Sequence, residues 1–272
     1  MQAVVLGGSY ARGTARPDSD LDIAIYYSEQ SPPDIEAVRR CVEGFALADT
    51  QPVITNFYEW GPWVNGGAWI QTSGGKLDLL YRNMDQLQRV LDESQDGIYH
   101  HDFYQQPTFG FVSVIYLAET KWCSPLMDPR DLLSGFKRQV EVYPPRLRKK
   151  LIGDLLWMAE FTFLHAEGFA ERLDIFNTVG CLARIAFMLV QSLFALNEEY
   201  YFGDKGSLQA VDQFGRQPPN FSMRLQAVLS LPTPSVQDLQ HVVHQMRVLW
   251  QEIVALTEGQ YVPKFNPPKK AG

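Results

Sequence analysis

Cysteine is scarce in this chain. There are 3, Cys41, Cys123 and Cys181, widely spaced and with no Cys-x-x-Cys pair. A disulfide framework and a thiolate zinc site are excluded on that count, and reduced thiols of a cytoplasmic protein are the expectation. Basic charge is short as well: 24 Lys and Arg stand against 31 Asp and Glu, a formal net charge of −7. A protein whose main task is to hold nucleic acid needs a basic surface to neutralise phosphate, so that class is set aside. The sign is compatible with a small cationic substrate, but by itself it is better read as the mild acidic excess of an ordinary soluble protein. No basic segment followed by a long apolar run opens the chain, so no signal peptide is expected. The most apolar stretch, 179–196, is interrupted by Arg184 and Gln191. It falls short of the roughly 20 residues that a spanning helix needs. A buried core helix is expected there, with no membrane partner. There is no internal repeat, and the one segment with a disordered composition is the tail 266–272, with 2 Pro, 2 Lys and a terminal Gly.

What is present is enough apolar material for a proper core: 46% of the 272 residues are hydrophobic, in a length that suits one large domain or two small ones. The first part reads as strands and turns. Ala3, Val4, Val5 and Leu6 form a short apolar run that stops at Gly7-Gly8, and a turn-rich stretch over 9–19 follows. Alternation of polar and apolar side chains predicts a strand over 20–27, and Ser31-Pro32-Pro33-Asp34 leads into a helix over about 35–48. Strands are expected over 52–58, 68–72 and 76–82, with Ser73-Gly74-Gly75 as a tight turn, and then a helix over 84–91. The second part reads as helices: long ones over 146–168, 174–196 and 236–257, the last with Ser235 as N-cap, and shorter ones near 111–119 and 131–140. The expected division is 1–105 for the first domain, 106–265 for a helical second domain and 266–272 for a flexible tail.

The informative stretch is Gly7-Gly8-Ser9-Tyr10-Ala11-Arg12-Gly13-Thr14-Ala15-Arg16-Pro17-Asp18-Ser19-Asp20-Leu21-Asp22. Residues i and i+2 of a strand share a face, so Asp20 and Asp22 set two carboxylates side by side. Like charges that close repel, and a divalent cation relieves the repulsion; oxygen ligands suit Mg²⁺. Two such ions, roughly 3.5–4 Å apart, can clamp the attacking and leaving oxygens of a phosphoryl displacement. Gly7 and Gly8 let the backbone approach a ligand closely, and the N–H groups of a short helix opening near Ser9 would face anionic phosphate. The Ser9 hydroxyl adds a donor, and Arg12 and Arg16 supply positive charge for a pyrophosphate. Taken singly, each feature is commonplace: an Asp-x-Asp is often a solvated strand edge, and Gly-Gly-Ser an ordinary turn. Their conjunction after an apolar strand is what carries weight.

That conjunction resembles the signature of the polymerase-β-like nucleotidyltransferases, in which Gly-Ser is followed about ten residues later by Asp-x-Asp on a strand. The resemblance is firm over residues 3–27, weaker to about 82, and architectural beyond. It implies an α+β fold, a small mixed β-sheet domain with helices followed by an all-helical C-terminal domain. In layout the chain is similar to aminoglycoside and related antibiotic nucleotidyltransferases. The family adds a third carboxylate from a later strand, and Asp78, flanked by Leu77 and Leu79, fits that role as metal ligand or as the base for the acceptor hydroxyl. The implied nucleotide-binding residues are Gly8, Ser9, Arg12 and Lys205. Lys205 lies in a segment, 197–205, similar to a loop that helical domains of small-molecule nucleotidyltransferases place near the nucleotide. The implied reaction moves a nucleoside monophosphate, AMP from ATP, to the hydroxyl of a small acceptor such as an aminoglycoside-like antibiotic, releasing pyrophosphate, with Mg²⁺ bound. Domains of this family usually carry a helix ahead of the first strand. Here the strand comes almost at once, so either the start is cut short or the second domain covers that face.

Other candidates are weaker. His241 and His244 stand three apart on an expected helix with no third ligand, which suits a polar face. Tyr58, Trp60, Trp63 and Trp69 form an aromatic group that would stack on a base or sugar ring or else serve the core. Glu160 and Glu167 share a helix face and are candidates to meet a cationic acceptor, with Glu160 an alternative base. The rival functions are a protein-adenylylating, antitoxin-like nucleotidyltransferase, for which the helical extension is too long, and a non-catalytic nucleotide-binding module, against which the intact Asp20, Asp22 and Asp78 set speaks.

Overall fold

The apolar run at the start is β1 (Ala3–Leu6), and Gly7-Gly8 turns the chain out of it into one helical turn, α1 (Gly8–Ala11). The computed structural model describes residues 1–103, 106–230 and 234–265. β2 (Leu21–Tyr27) returns antiparallel to β1, Leu6 opposite Ile23 and Ala3 opposite Tyr26. α2 (Ile35–Glu43) opens on Asp34, whose side chain accepts from the Glu36 N–H, and stops at Gly44, short of the expected 48, since glycine is a poor helix former. β3 (Val53–Ile54) is a short edge strand rather than the expected 52–58, because the chain turns at Tyr58, with φ +63°. β4 (Gly67–Thr72) and β5 (Gly75–Asn83) form a hairpin across Ser73-Gly74, where Gly75 takes φ +120°, as the tight-turn expectation required.

β5 then lies parallel to β2, the parallel pair in a mixed sheet ordered β3-β4-β5-β2-β1, with a later strand, β8 (Ser124–Met127), beyond β1. α3 (Met84–Gln95) is capped by Asn83, whose side chain accepts from the Asp85 and Gln86 N–H groups. A small ribbon of β6 (His101–Asp102) and β7 (Phe111–Val112) precedes α4 (Val114–Trp122), β8 (Ser124–Met127) and α5 (Leu132–Gln139). Period-two alternation sorts the sheet into two faces. Ile23, Ile25 and Tyr27 of β2, Leu77, Leu79 and Tyr81 of β5, and Ala68 and Ile70 of β4 pack with Val42 of α2 into one apolar cluster. The opposite face receives Asp22 and Asp78.

Pro145 opens the second unit, which is helical among the described residues: α6 (Pro145–Glu171), α7 (Ile175–Leu196), α8 (Ser207–Val211), α9 (Phe221–Leu229) and α10 (Val236–Leu256). Asp174 caps α7, and Ser235 with Asp238 forms a capping box on α10. By length and composition α7 would cross a membrane, yet 72% of its most apolar window is buried. The core-helix expectation fits that burial. The observed fold class is the expected one, a mixed sheet with helices followed by a helical part.

The boundary differs from the expected one near 105. The chain divides into Met1–Pro144 and Pro145–Gly272, so 106–144 goes with the sheet. The reason is pairing that composition hides. β8 lies antiparallel on β1, the Arg82 guanidinium makes a bidentate pair with Glu119 at 2.7 and 2.8 Å, and Lys137 Nζ donates to the Lys121 carbonyl at 2.9 Å. The expected tail 266–272 lies outside the described residues. The cysteines are unpaired with one another, Cys41 exposed and Cys123 buried.

Candidate active site

The register of β2 against β5 builds the site. Parallel pairing places Asp22 opposite Asp78 and Leu21 opposite Leu77. Since the apolar neighbours Ile23 and Leu79 face the core, the two aspartates face away from it. Asp20, one residue ahead of β2, joins them through Lys76: the Lys76 ammonium donates to Asp20 Oδ2 at 2.7 Å and to Asp78 Oδ2 at 3.3 Å. Accepting that bond, Asp20 holds the Lys76 pKa above its ordinary value, with Asp78 adding to the effect. Lys76 Nζ also stands 3.2 Å from Asp78 Oδ1. That contact lacks hydrogen-bond geometry, and Oδ1 is a buried acceptor with no hydrogen bond. The ammonium offsets its charge, and a further donor or a cation would satisfy the lone pairs that no hydrogen bond uses.

The turn after β1 completes the site. The Gly7 N–H donates to the Asp22 carbonyl at 2.8 Å, which draws the turn onto β2. Gly8 has φ +57°, and a Cβ there would fall 1.8 Å from Asp22 Oδ2 and 2.5 Å from its Cγ. Only glycine leaves space for that carboxylate in its present orientation. Ser9 follows, partly exposed, in the first turn of α1. Burial lowers the Arg12 pKa from its ordinary value, and the nearby Asp22 charge opposes this; Arg12 Nε donates to the Gly8 carbonyl at 3.4 Å. Asp22, Asp78, Gly8, Ser9 and Arg12 are therefore brought together, with Asp20 held beside them. Arg16 is elsewhere engaged: it forms an exposed bidentate pair with Asp18 at 3.2 Å. Among the described residues no group of three or more Asp, Glu, His or Cys side chains is arranged to hold a metal ion as it stands. The donor set nonetheless suits a hard cation: three carboxylates at adjoining positions, one with an unbonded buried oxygen, are oxygen ligands of the kind Mg²⁺ takes.

Residues 2–52 match the family model described as a nucleotidyltransferase domain. The chain carries a nucleotidyltransferase domain. Its enzyme class is accordingly nucleotidyl transfer, and the matched segment contains Gly8, Ser9, Arg12, Asp20 and Asp22, with Asp78 beyond it. A comparison with curated proteins gave no significant match. Among solved structures, the chain is similar to a nucleotidyltransferase-like protein from Exiguobacterium sibiricum 255-15, with 8% identity, a TM-score of 0.48, and coverage of 95% of this chain and 71% of that one. It is also similar to an aminoglycoside 6-adenyltransferase from Bacillus subtilis, with 12% identity, a TM-score of 0.34, and coverage of 95% and 84%.

The remaining expected residues sort differently in this nucleotidyltransferase. Glu160 is not available as a base or for a cationic acceptor. It is buried in the second unit and accepts from the Tyr261 hydroxyl, the Lys264 N–H at 2.9 Å and the Phe265 N–H at 2.7 Å. Glu167 pairs with Arg247 at 2.6 Å. The spacing of these glutamates showed a shared helix face, but whether that face looks inward depends on tertiary packing. Lys205 is exposed in the loop ahead of α8. His241 and His244 are exposed on α10. Sequence reasoning gave Lys76 no role. Its i−2 spacing from Asp78 on a strand was the available signal.

Proposed function

We propose that this nucleotidyltransferase moves AMP from ATP, with Mg²⁺ bound, to a hydroxyl of a small molecule, releasing pyrophosphate. The observation that supports this reading best is the β2–β5 register, which sets Asp78 opposite Asp22 on the sheet face turned away from the core. Asp20, Asp22 and Asp78 would hold the cation, which offsets charge that develops on the transferring phosphoryl group. The Gly8-Ser9 turn would receive the triphosphate, the Ser9 hydroxyl donating to a phosphate oxygen. Arg12, half buried near Asp22, would add positive charge at the same place. Asp78, with an oxygen that accepts no hydrogen bond, would take the proton of the acceptor hydroxyl as it attacks. An aminoglycoside-like antibiotic is the first acceptor class to try.

The test is pyrophosphate release from ATP, with and without Mg²⁺, over a panel of hydroxyl-bearing small molecules and a panel of cell proteins. Turnover with a small molecule that vanishes on chelation is the expected result. In D20N and D22N turnover should be lost with the fold intact by circular dichroism, and D78N should lower kcat by about 10² or more while leaving ATP binding nearly unchanged. Near-wild-type turnover in D22N would refute the metal assignment, and transfer to proteins alone would refute the acceptor class.

A further inference from the structure

The aromatic group of the first unit is split by the fold. Trp63 is partly buried, stacked on the buried Phe111 at 5.8 Å and edge-on to Tyr116. Trp69 sits on β4 directly opposite Asp78, so its side chain rises on the carboxylate face, and it is 49% exposed. Trp60 stacks on it, ring centroids 4.9 Å apart at 26°. The loop that carries Trp60 is pinned: the Trp60 N–H donates to the Asn65 carbonyl at 3.1 Å, and Asn65, wholly buried, takes the Tyr58 N–H on its Oδ1 at 2.9 Å and donates to the Tyr27 hydroxyl at 2.6 Å. A rigid indole pair half in water is costly to leave bare, and its position next to the proposed base singles it out from the other exposed apolar side chains.

We propose that Trp69, backed by Trp60, is the platform on which the acceptor lies, and that the acceptor is a ring compound bearing hydroxyls, such as a sugar or cyclitol, whose apolar face covers the indole. The order of features across the sheet carries this. Gly8 and Ser9 follow β1, Asp22 is on β2, Asp78 on β5 and Trp69 on β4, in that spatial sequence. With strands about 4.8 Å apart, the indole rises roughly 5 Å from Asp78 and about 10 Å from Asp22. Phosphate at the Gly8-Ser9 end and a ring at the Trp69 end leave Asp78 between them, where a base must stand to reach a hydroxyl on the ring's rim. Trp69 is then a binding residue and takes no part in proton transfer. This inference rests on the proposed transfer reaction for its geometry, but its test reads binding.

Tryptophan fluorescence would be titrated with myo-inositol, glucosamine and the open-chain polyol sorbitol, in the presence of Mg²⁺ and a non-hydrolysable ATP analogue. The two ring compounds should quench, sorbitol should not, and W69A should abolish the quenching while W69F keeps part of it. In turnover, W69A should raise the acceptor KM about tenfold with kcat and the ATP KM little changed. Quenching that survives W69A, quenching by sorbitol equal to that by the rings, no quenching by either ring compound, or a loss of ATP affinity in W69A would each overturn the proposal. Ring binding at Trp69 without any pyrophosphate release would leave the platform standing and remove the transfer reaction. Transfer with an unchanged acceptor KM in W69A would do the reverse.

Discussion

Gly8→Ala separates what the backbone needs from what the site needs. At φ +57° an alanine carries the strain of the left-handed region, about 1–2 kcal/mol. In a protein of this size each kcal/mol lowers Tm by roughly 2–4 °C, so a fall of about 2–8 °C is expected. The new Cβ would also meet Asp22 Oδ2 at 1.8 Å. An ordinary contact needs about 3.5 Å, so the carboxylate must move by about 1.5 Å or more. Turning a side chain outward is cheap for the fold and costly for the chemistry, since a displacement of about 1 Å in a reacting constellation is worth 10²-fold. G8A should therefore stay folded, bind Mg²⁺ and Mn²⁺ more weakly in calorimetry, and lose about 10² or more in turnover. Because the loss acts through Asp22, the two substitutions should not add: G8A placed in D22N should cost little more than D22N alone. Wild-type metal affinity in G8A, or a fully additive double variant, would refute this account of the turn.

Two further outcomes bear on the charged groups. Glu160→Ala removes the acceptor of the Tyr261 hydroxyl and of two backbone N–H groups, so the urea midpoint should fall by an amount equivalent to about 3 kcal/mol, with kcat near wild type in protein that remains folded; an unchanged midpoint together with lost turnover would restore Glu160 as a candidate base. Lys76→Met removes the ammonium between Asp20 and Asp78, so the metal-free protein should melt earlier and gain more from added Mg²⁺ than the wild type does; an equal Mg²⁺ shift in both proteins would count against Lys76 as their counter-ion.

Elements whose signals are local were legible in the amino-acid order alone. Period-two alternation through Asp22-Ile23 and Asp78-Leu79 announced two strands and assigned each side chain a face, and the Gly7-Gly8-Ser9 turn announced a backbone that approaches something closely. Helical periodicity located α7 and α10, and Ser235 marked the start of α10 as its cap; that Asp174 caps α7 came from the structure. Four exposed residues, Ser-Pro-Leu-Met, carry no such period, so β8 went unseen, and with it the reason that 106–144 belongs to the first unit. Which strands lie side by side emerged with the folded structure, since register is set by packing between segments far apart in the chain. It placed Asp78 opposite Asp22, put Lys76 between Asp78 and Asp20, the latter 56 residues from the lysine, and set Trp63 against buried rings while leaving Trp69 exposed. It also buried Glu160 under the residues that follow α10. A spacing pattern shows which residues share a face; the partner that covers that face, or leaves it open to a substrate, comes from the rest of the chain.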